Sequence, residues 1–138
     1  MSDEPFVVRP IGWVESPLID LADAPKQGDE GAPDAWIVID PAFRPALDGL
    51  DAGAEVIVLT WLDRADRSAL ATRPRDDPSR SLSGVFATRS PHRPNPIGLH
   101  TVTILAVDDT RMLVRNLEAL DGTPVIDIKP TLGPTESR

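Results

Sequence analysis

A run of closely spaced prolines between Gly84 and Gly98 constrains this chain more than any other stretch. Pro91, Pro94 and Pro96 each fix a backbone φ and remove an N–H donor, and each pushes the preceding residue toward extended geometry. Because neither a helix nor a central strand can form there, the sequence predicts a stiff, ordered loop, which we call the proline loop (residues 88–96). A stiff loop has little conformational entropy left to lose when it binds a ligand.

The proline loop carries side chains suited to an anionic or polar ligand. They are the guanidinium groups of Arg89 and Arg93, the hydroxyls of Thr88 and Ser90, the imidazole of His92 and the amide of Asn95. Arginine is a planar fork of donors that matches a carboxylate or a phosphate. We interpret the loop as a preorganised binding platform. The alternative is a proline-rich surface turn whose charges are only solvated.

Short apolar segments separated by turn residues predict an all-β fold. The expected strands are residues 6–14, 35–39, 55–62, 99–107, 111–117 and 125–129, with residues 85–87 entering the proline loop as a strand. The run 55–62 does not alternate, which predicts burial on both faces. A short helix of at most two turns is expected over 43–50, and a polar, largely irregular segment over 63–83. Many short strands with little helical periodicity indicate a small closed β-barrel or a sandwich.

Length and composition predict one soluble domain over residues 1–138, with 132–138 as a frayed tail. The chain has no cysteine and two histidines, which argues against a disulfide framework and a structural zinc site. No apolar run approaches the roughly 20 residues of a membrane span, and no secretory signal pattern is present. We therefore expect a cytoplasmic protein without a metal or a membrane partner.

The charge of the chain is unevenly distributed. Its net charge is −8, but residues 64–93 hold seven arginines against three aspartates and are +4, so the remainder is −12. Such a local basic face on an acidic body is compatible with a small anionic ligand or a single RNA loop. It argues against a general nucleic-acid binder.

The last predicted strand contains a charged pair. Asp127 and Lys129 lie two residues apart, so they share one face, with Ile126 and Ile128 on the other. Facing into a closed barrel, the pair would form a ligand-ordering network, whereas facing outward it would be an exposed ion pair that contributes little stability. The strand alone leaves both readings open.

Other familiar sites are not supported by the sequence. No Gly-x-Gly-x-x-Gly and no P-loop signature occurs. A Ser-His-Asp triad built on Ser90 and His92 is disfavoured because Ser90 lacks the strand–turn–helix context of a nucleophile elbow.

Two long motifs resemble the TsaA-like (YaeB, TrmO) family. They are Gly-Val-Phe-Ala-Thr-Arg-Ser-Pro-His-Arg-Pro-Asn-Pro-Ile-Gly-Leu at 84–99 and Asp-Gly-Thr-Pro-Val-Ile-Asp-Ile-Lys-Pro at 121–130, and Ile-Gly-Trp-Val-Glu-Ser-Pro at 11–17 fits the same family. The resemblance implies a small β-barrel that binds S-adenosylmethionine and dimerises. Its better-known members methylate the exocyclic amine of threonylcarbamoyl-adenosine beside the tRNA anticodon.

The resemblance also implies site residues. Arginines would hold the carboxylate of the cofactor, acidic groups its ammonium and ribose, and amide groups its adenine. The cofactor contacts expected in the matching segments are Gln27, Asp63, Arg64, Arg89, Ser90, Arg93, Pro94, Asn95, Leu99, Glu118 and Thr123. Asp127 or Asp121 is the candidate base for the amine proton, with Lys129 beside Asp127.

Two departures from the family pattern bear on the substrate. The usual Lys-Pro-Tyr is Lys129-Pro130-Thr131 here, and the sequence stops at 138 without the additional C-terminal domain of longer members. The expected partners are tRNA and a second copy of the chain. Two alternatives stay open: a methyltransferase of a small molecule, and a non-catalytic regulator that binds S-adenosylmethionine.

Overall fold

The computed structural model describes residues 3–18, 33–73 and 77–132. Its strands are β1 (Gly12–Glu15), β2 (Ala35–Ile39), β3 (Glu55–Trp61), β4 (Ala71–Thr72), β5 (Ser83–Gly84), β6 (Ile97–Asp108), β7 (Arg111–Arg115) and β8 (Pro124–Pro130). Two 3₁₀ helices, Pro41–Leu47 and Val85–Ala87, complete the regular structure. No helix among these residues is long and apolar enough to cross a membrane.

Six strands close into a barrel in the order β1-β2-β7-β6-β3-β8, and each neighbouring pair is antiparallel. The predicted all-β closed barrel is confirmed. β4 and β5 pair only with each other. We call the described residues 70–73 and 77–87, which include β4, β5 and the 3₁₀ helix Val85–Ala87, the arm.

Alternate side chains fill the barrel. On β3, Val56, Val58 and Thr60 point inward and are fully buried, while the residues between them are half-buried on the outer face. The expectation that this strand is buried on both faces was wrong, because the outer wall of a small barrel has no second layer to cover it. The core also contains the buried residues Val14, Ala35, Ile37, Ile39, Val102, Ile104, Met112, Val114, Leu117, Ala119 and Val125.

Two further strand predictions were wrong. The first strand covers only Gly12–Glu15, and upstream of it Phe6 and Val7 are 89 % and 88 % exposed because no strand lies beside them. Residues 85–87 form a 3₁₀ helix and not a strand. The short helix expected near residue 43 is confirmed. It begins at Pro41, where Asp40 Oδ1 accepts a hydrogen bond from the Ala42 amide.

Candidate functional site

The direction of the strands brings the long connections to one end of the barrel. β1, β3 and β7 end there, and β2, β6 and β8 begin there. Consequently the described residues 62–73, 77–96 and 116–123 lie at the same end, which we call the loop end. The opposite, far end holds the 3₁₀ helix Pro41–Leu47 and the tight turn at Asp109.

Arg93 braces the proline loop from within. Its Nη1 donates to the carbonyl oxygens of Thr88 and Ser90 at 3.0 Å each, and its Nη2 donates to that of Val85 at 2.7 Å. An irregular segment leaves carbonyl groups without ladder partners, and the forked guanidinium satisfies three of them at once. Both terminal nitrogens of Arg93 are therefore engaged inside the protein.

The hydroxyls of the loop also serve its own backbone. Thr88 Oγ1 donates to the Val85 carbonyl and accepts from the Ser90 amide, while Ser90 Oγ accepts from the His92 amide. These short-range bonds replace the regular structure that proline forbids. The proline loop is thus held by a hydrogen-bond network in addition to the ring constraints expected from the sequence.

A second arginine, which sequence reasoning left without a role, fastens the loop to the end of β3. Arg67 stacks over the Trp61 ring at 5.0 Å and donates to the Pro94 carbonyl (2.7 Å) and to Asn95 Oδ1 (3.2 Å). Beside it, His92 Nδ1 accepts a hydrogen bond of 2.9 Å from the Asp66 amide. The turn that carries Asp63 and Arg64 is consequently held against the proline loop. Nothing in the local sequence of Arg67 indicates this contact.

A histidine inside the barrel lies beneath the loop end. His100 Nε2 and Thr60 Oγ1 share a hydrogen bond of 2.8 Å, and burial lowers the pKa of His100 to about 4. A Cβ at Gly98 would overlap Thr60 Oγ1 and lie 2.7 Å from His100 Nε2. Glycine is therefore required where β6 leaves the proline loop. Sequence reasoning did not single out His100, although a lone histidine in an apolar strand is a visible signal.

Arg89 differs from Arg93 and Arg67. It is exposed and makes no hydrogen bond or ion pair within the described part of the chain. It lines an open depression of about 330 Å³ together with Phe86, Ala87 and Thr88. Of the two guanidinium groups on the proline loop, Arg89 is the one that is available to a ligand.

The turn before β8 supplies acidic groups at the same end. Asp121 Oδ1 accepts from the Ser16 amide at 3.0 Å, and Gly122 adopts a φ of 83° while its amide donates to the Val14 carbonyl. Thr123 is buried and its hydroxyl donates to the Leu120 carbonyl. Glu118 is half-buried, with its Oε2 shielded from solvent. Asp121 is exposed, and its Oδ2 makes no hydrogen bond among the described residues.

The charged pair on β8 points outward. Asp127 Oδ2 lies 3.2 Å from Lys129 Nζ, both side chains are about half exposed, and Asp127 Oδ1 accepts from the Ile128 amide. A register shift between β3 and β8 inserts one extra residue after Val125, so that Ile128 as well as Val125 packs inward. The reading as an exposed ion pair is correct for this structure, and the inward network is not formed.

Asp127 is also set apart from the other predicted site residues. It lines a groove of about 420 Å³ at the far end, with apolar neighbours such as Ile11, Phe43 and Leu50. Across the outer wall, Leu59 separates it from Leu99. Thr131, which replaces the family aromatic, lies at the far end too, where its hydroxyl donates to the Glu55 carbonyl.

Comparisons with known proteins identify the family. The family model described as "tRNA-methyltransferase O N-terminal domain" matches residues 13–135 of this chain. The chain belongs to this family. Its relatives include a probable S-adenosyl-L-methionine-binding protein of Methanothermobacter thermautotrophicus, 45 % identical over 130 residues that cover 94 % of this chain and 93 % of the relative. An S-adenosyl-L-methionine-binding protein of Archaeoglobus fulgidus is 45 % identical over 124 residues, covering 90 % and 88 %.

Solved structures agree with the family assignment. The crystal structure of TrmO from Pseudomonas aeruginosa superposes with a TM-score of 0.75 at 31 % identity and covers 98 % of this chain. This chain spans 61 % of that TrmO chain. The TrmO-type barrel inferred from the motifs is thus confirmed.

The structure of this TrmO-family chain groups most of the predicted site residues. At the loop end lie Asp63, Arg64, Arg89, Ser90, Arg93, Pro94, Asn95, Glu118, Asp121 and Thr123, with Leu99 on the adjacent outer wall of β6. Asp127 and Lys129 are on the outer wall of β8, where Asp127 lies level with Leu99 on the other side of Leu59. Gln27 lies outside the described residues. No group of three acidic or histidine side chains suited to a metal ion occurs in the described ranges.

Proposed function

We propose that this protein binds S-adenosyl-L-methionine at the loop end and transfers its methyl group to the exocyclic amine of threonylcarbamoyl-adenosine beside a tRNA anticodon. The observation that carries the proposal is the family match over residues 13–135, a range that includes the described residues of the loop end. We further propose that residues 1–138 form one domain, which works as a homodimer in the cytoplasm without a metal.

The donor groups at the loop end fit the chemistry of this cofactor. Arg89 offers a guanidinium with no partner among the described residues for a carboxylate, whereas Arg93 and Arg67 keep the loop in shape. Carboxylates for an ammonium and a ribose diol are present on Asp63, Glu118 and Asp121. Leu99, 51 % exposed, provides apolar surface next to them. We assign ligand contact to Arg89, the acidic groups and Leu99, and loop positioning to Arg93.

When bound, S-adenosylmethionine supplies an already activated methyl group, so the protein mainly has to align the acceptor amine. The amine nitrogen forms the new bond to carbon as the sulfur–carbon bond breaks, and it loses one proton. Asp121 is the better-placed base, because its Oδ2 is not engaged within the described part of the chain and the carboxylate stands at the loop end. Both oxygens of Asp127 are already held, by Lys129 and by the Ile128 amide.

The proposal is tested with isotope-labelled methyl donor, bulk tRNA and nucleoside analysis. Label in the threonylcarbamoyl-adenosine fraction supports it. Label only in a metabolite extract shows a small-molecule methyltransferase. Donor binding without any turnover shows a regulatory binding protein; the archaeal relatives are named only as S-adenosyl-L-methionine-binding proteins.

Two aspartates provide a matched pair for the assignment of the base. Asp121→Asn should lower the turnover rate about 100-fold, the lower end of what a general base contributes. Asp127→Asn should leave turnover within about twofold. The reverse pattern would move the base to β8, and equal effects of both substitutions would remove the distinction.

A further inference from the structure

The arm carries large apolar side chains that the fold leaves in solvent. Phe86 is 85 % exposed, Leu70 is 70 % exposed and Leu82 is 62 % exposed. Single exposed apolar residues are ordinary on a protein surface, but a phenyl ring that is 85 % exposed is available to stack on a ligand.

Phe86 is presented on a rigid base. The residue before it, Val85, is buried, and its amide donates to the Leu70 carbonyl at 3.0 Å. Arg93 binds the carbonyl oxygens of Val85 and Thr88 on either side of Phe86. Phe86 also lines the open depression that ends at Arg89. An aromatic ring is thus held in solvent directly beside the candidate cofactor site.

Unengaged arginines accompany this ring. Arg73 and Arg80 are exposed and make no side-chain hydrogen bond or ion pair with any residue that the structure describes. Asp77, an acidic neighbour on the arm, binds the hydroxyl and the amide of Ser79, and these bonds lower the pKa of its carboxyl group. Residues 64–93 together carry +4 and the rest of the chain carries −12, so this segment is the part of the sequence that favours a polyanion.

We propose that the arm is the surface that holds a single-stranded RNA loop, with a base stacked on Phe86 and backbone phosphates on Arg73 and Arg80. The inference rests on the proposed function, since it names where the RNA substrate of that reaction lies. An exposed aromatic ring on the same arm as arginines that have no side-chain partner among the described residues is a combination that binds unstacked bases and their backbone. A protein partner would have to supply carboxylates for both arginines.

The experiment measures the affinity of the full chain for a fluorescently labelled tRNA at several salt concentrations. Phe86→Ala should weaken binding about tenfold without changing the salt dependence, because stacking carries no charge, and Phe86→Trp should retain binding. Arg73→Ala and Arg80→Ala should each reduce the slope of log affinity against log salt by about 0.7, the value for one lost single-strand phosphate contact.

Two control variants are matched in exposure and charge but lie elsewhere. Phe6→Ala removes a phenyl ring that is 89 % exposed on the N-terminal segment, and Arg44→Ala removes a guanidinium at the far end. Both should bind the labelled tRNA as the unaltered protein does. Circular dichroism of each variant checks that the barrel is folded.

The outcomes separate this inference from the proposed function. If the unaltered protein methylates tRNA and the arm variants bind it equally well, the inference is overturned and the function stands. If Phe86→Ala turns a dimer into a monomer and leaves RNA affinity unchanged, a second copy occupies the arm and the inference is again overturned. If tRNA binds through the arm but receives no methyl group, the inference is supported and the function fails.

Discussion

The two ends of the barrel are stabilised in different ways. At the far end, Phe43, Leu47 and Leu50 pack against the core, and a tight turn through Asp109 at a φ of 55° joins β6 to β7. At the loop end, guanidinium, imidazole and hydroxyl groups bind backbone carbonyls and amides of the proline loop. One end is closed by apolar burial and the other by polar cross-links.

The difference shows how a small barrel can hold an irregular loop rigid and still offer it to a ligand. Apolar packing would need to cover the loop, whereas Arg67 and Arg93 hold it by hydrogen bonds to the backbone carbonyls of Pro94 and Val85. Arg89, Asp121 and Phe86 are left exposed on the resulting framework. The polar cross-links therefore supply preorganisation, which reduces the entropy cost of binding.

The largest expected effect is the loss of stability at acidic pH that the buried His100 causes. Its pKa in the folded protein is about 4 against 6.5 for an unperturbed histidine, so below pH 6.5 the unfolded chain binds the additional proton and the folded state does not. Unfolding free energy should fall as the pH drops from 6.5 to 4, by up to about 3 kcal/mol. Urea titrations of the unaltered protein and of His100→Gln across this range measure the difference. If the unfolding free energies of the two proteins change with pH in parallel, His100 is not the cause of the acid sensitivity.

Loss of the loop brace should have the next largest effect. Arg93→Ala removes the guanidinium from three partly buried carbonyl groups, of which, among the described residues, only that of Val85 keeps other donors, the amide and hydroxyl of Thr88. The substitution should cost about 2 kcal/mol of unfolding free energy. Arg44→Ala, which removes an exposed ion pair with Asp109 at the far end, should cost less than about 1 kcal/mol. Equal losses in chemical denaturation would break the comparison between the two ends.

Cation–π pairs at the loop end and on the barrel wall allow a finer comparison. Arg67 stacks on Trp61 at the loop end, and Arg111 stacks on Trp36 at 4.3 Å on the wall formed by β2 and β7. Arg67→Ala and Arg111→Ala should each lower stability by about 1 kcal/mol. Only Arg67→Ala should also weaken binding of S-adenosylmethionine in calorimetry, about fivefold, because it loosens Pro94 and Asn95. A matching loss in Arg111→Ala would mean that the affinity follows global stability.

The smallest expected effect is on the outer wall. Lys129→Ala removes the exposed ion pair with Asp127 and should change unfolding free energy by less than about 0.5 kcal/mol, with donor affinity unchanged. Thermal unfolding and calorimetry of this variant provide the measurement. A large fall in donor affinity would bring β8 into the site and extend the ligand beyond the loop end.

Several features of this protein could be predicted from local properties of its sequence. The all-β class follows from short strands separated by turn residues, whereas the choice of a closed barrel over a sandwich came from the resemblance to the family. The stiffness of the proline loop follows from ring constraints within the segment itself. The grouping of Asp63, Arg89 and Asp121 at one end was expected from the family motifs. The strand expected over 85–87 was wrong, because a three-residue apolar run does not distinguish an extended segment from a helical turn.

By itself the sequence determined that a rigid, arginine-bearing loop would be mounted on an all-β scaffold, since proline geometry and strand alternation act over a few residues. Only the tertiary structure decided that Arg67 and Arg93 brace the loop and that Arg89 remains available to a ligand, because their hydrogen-bond partners depend on the folded path of the chain. It also decided that Asp127 and Lys129 face outward. A single extra residue in β8 reverses the faces of the strand, and its place depends on the register with β3 rather than on the composition of the strand.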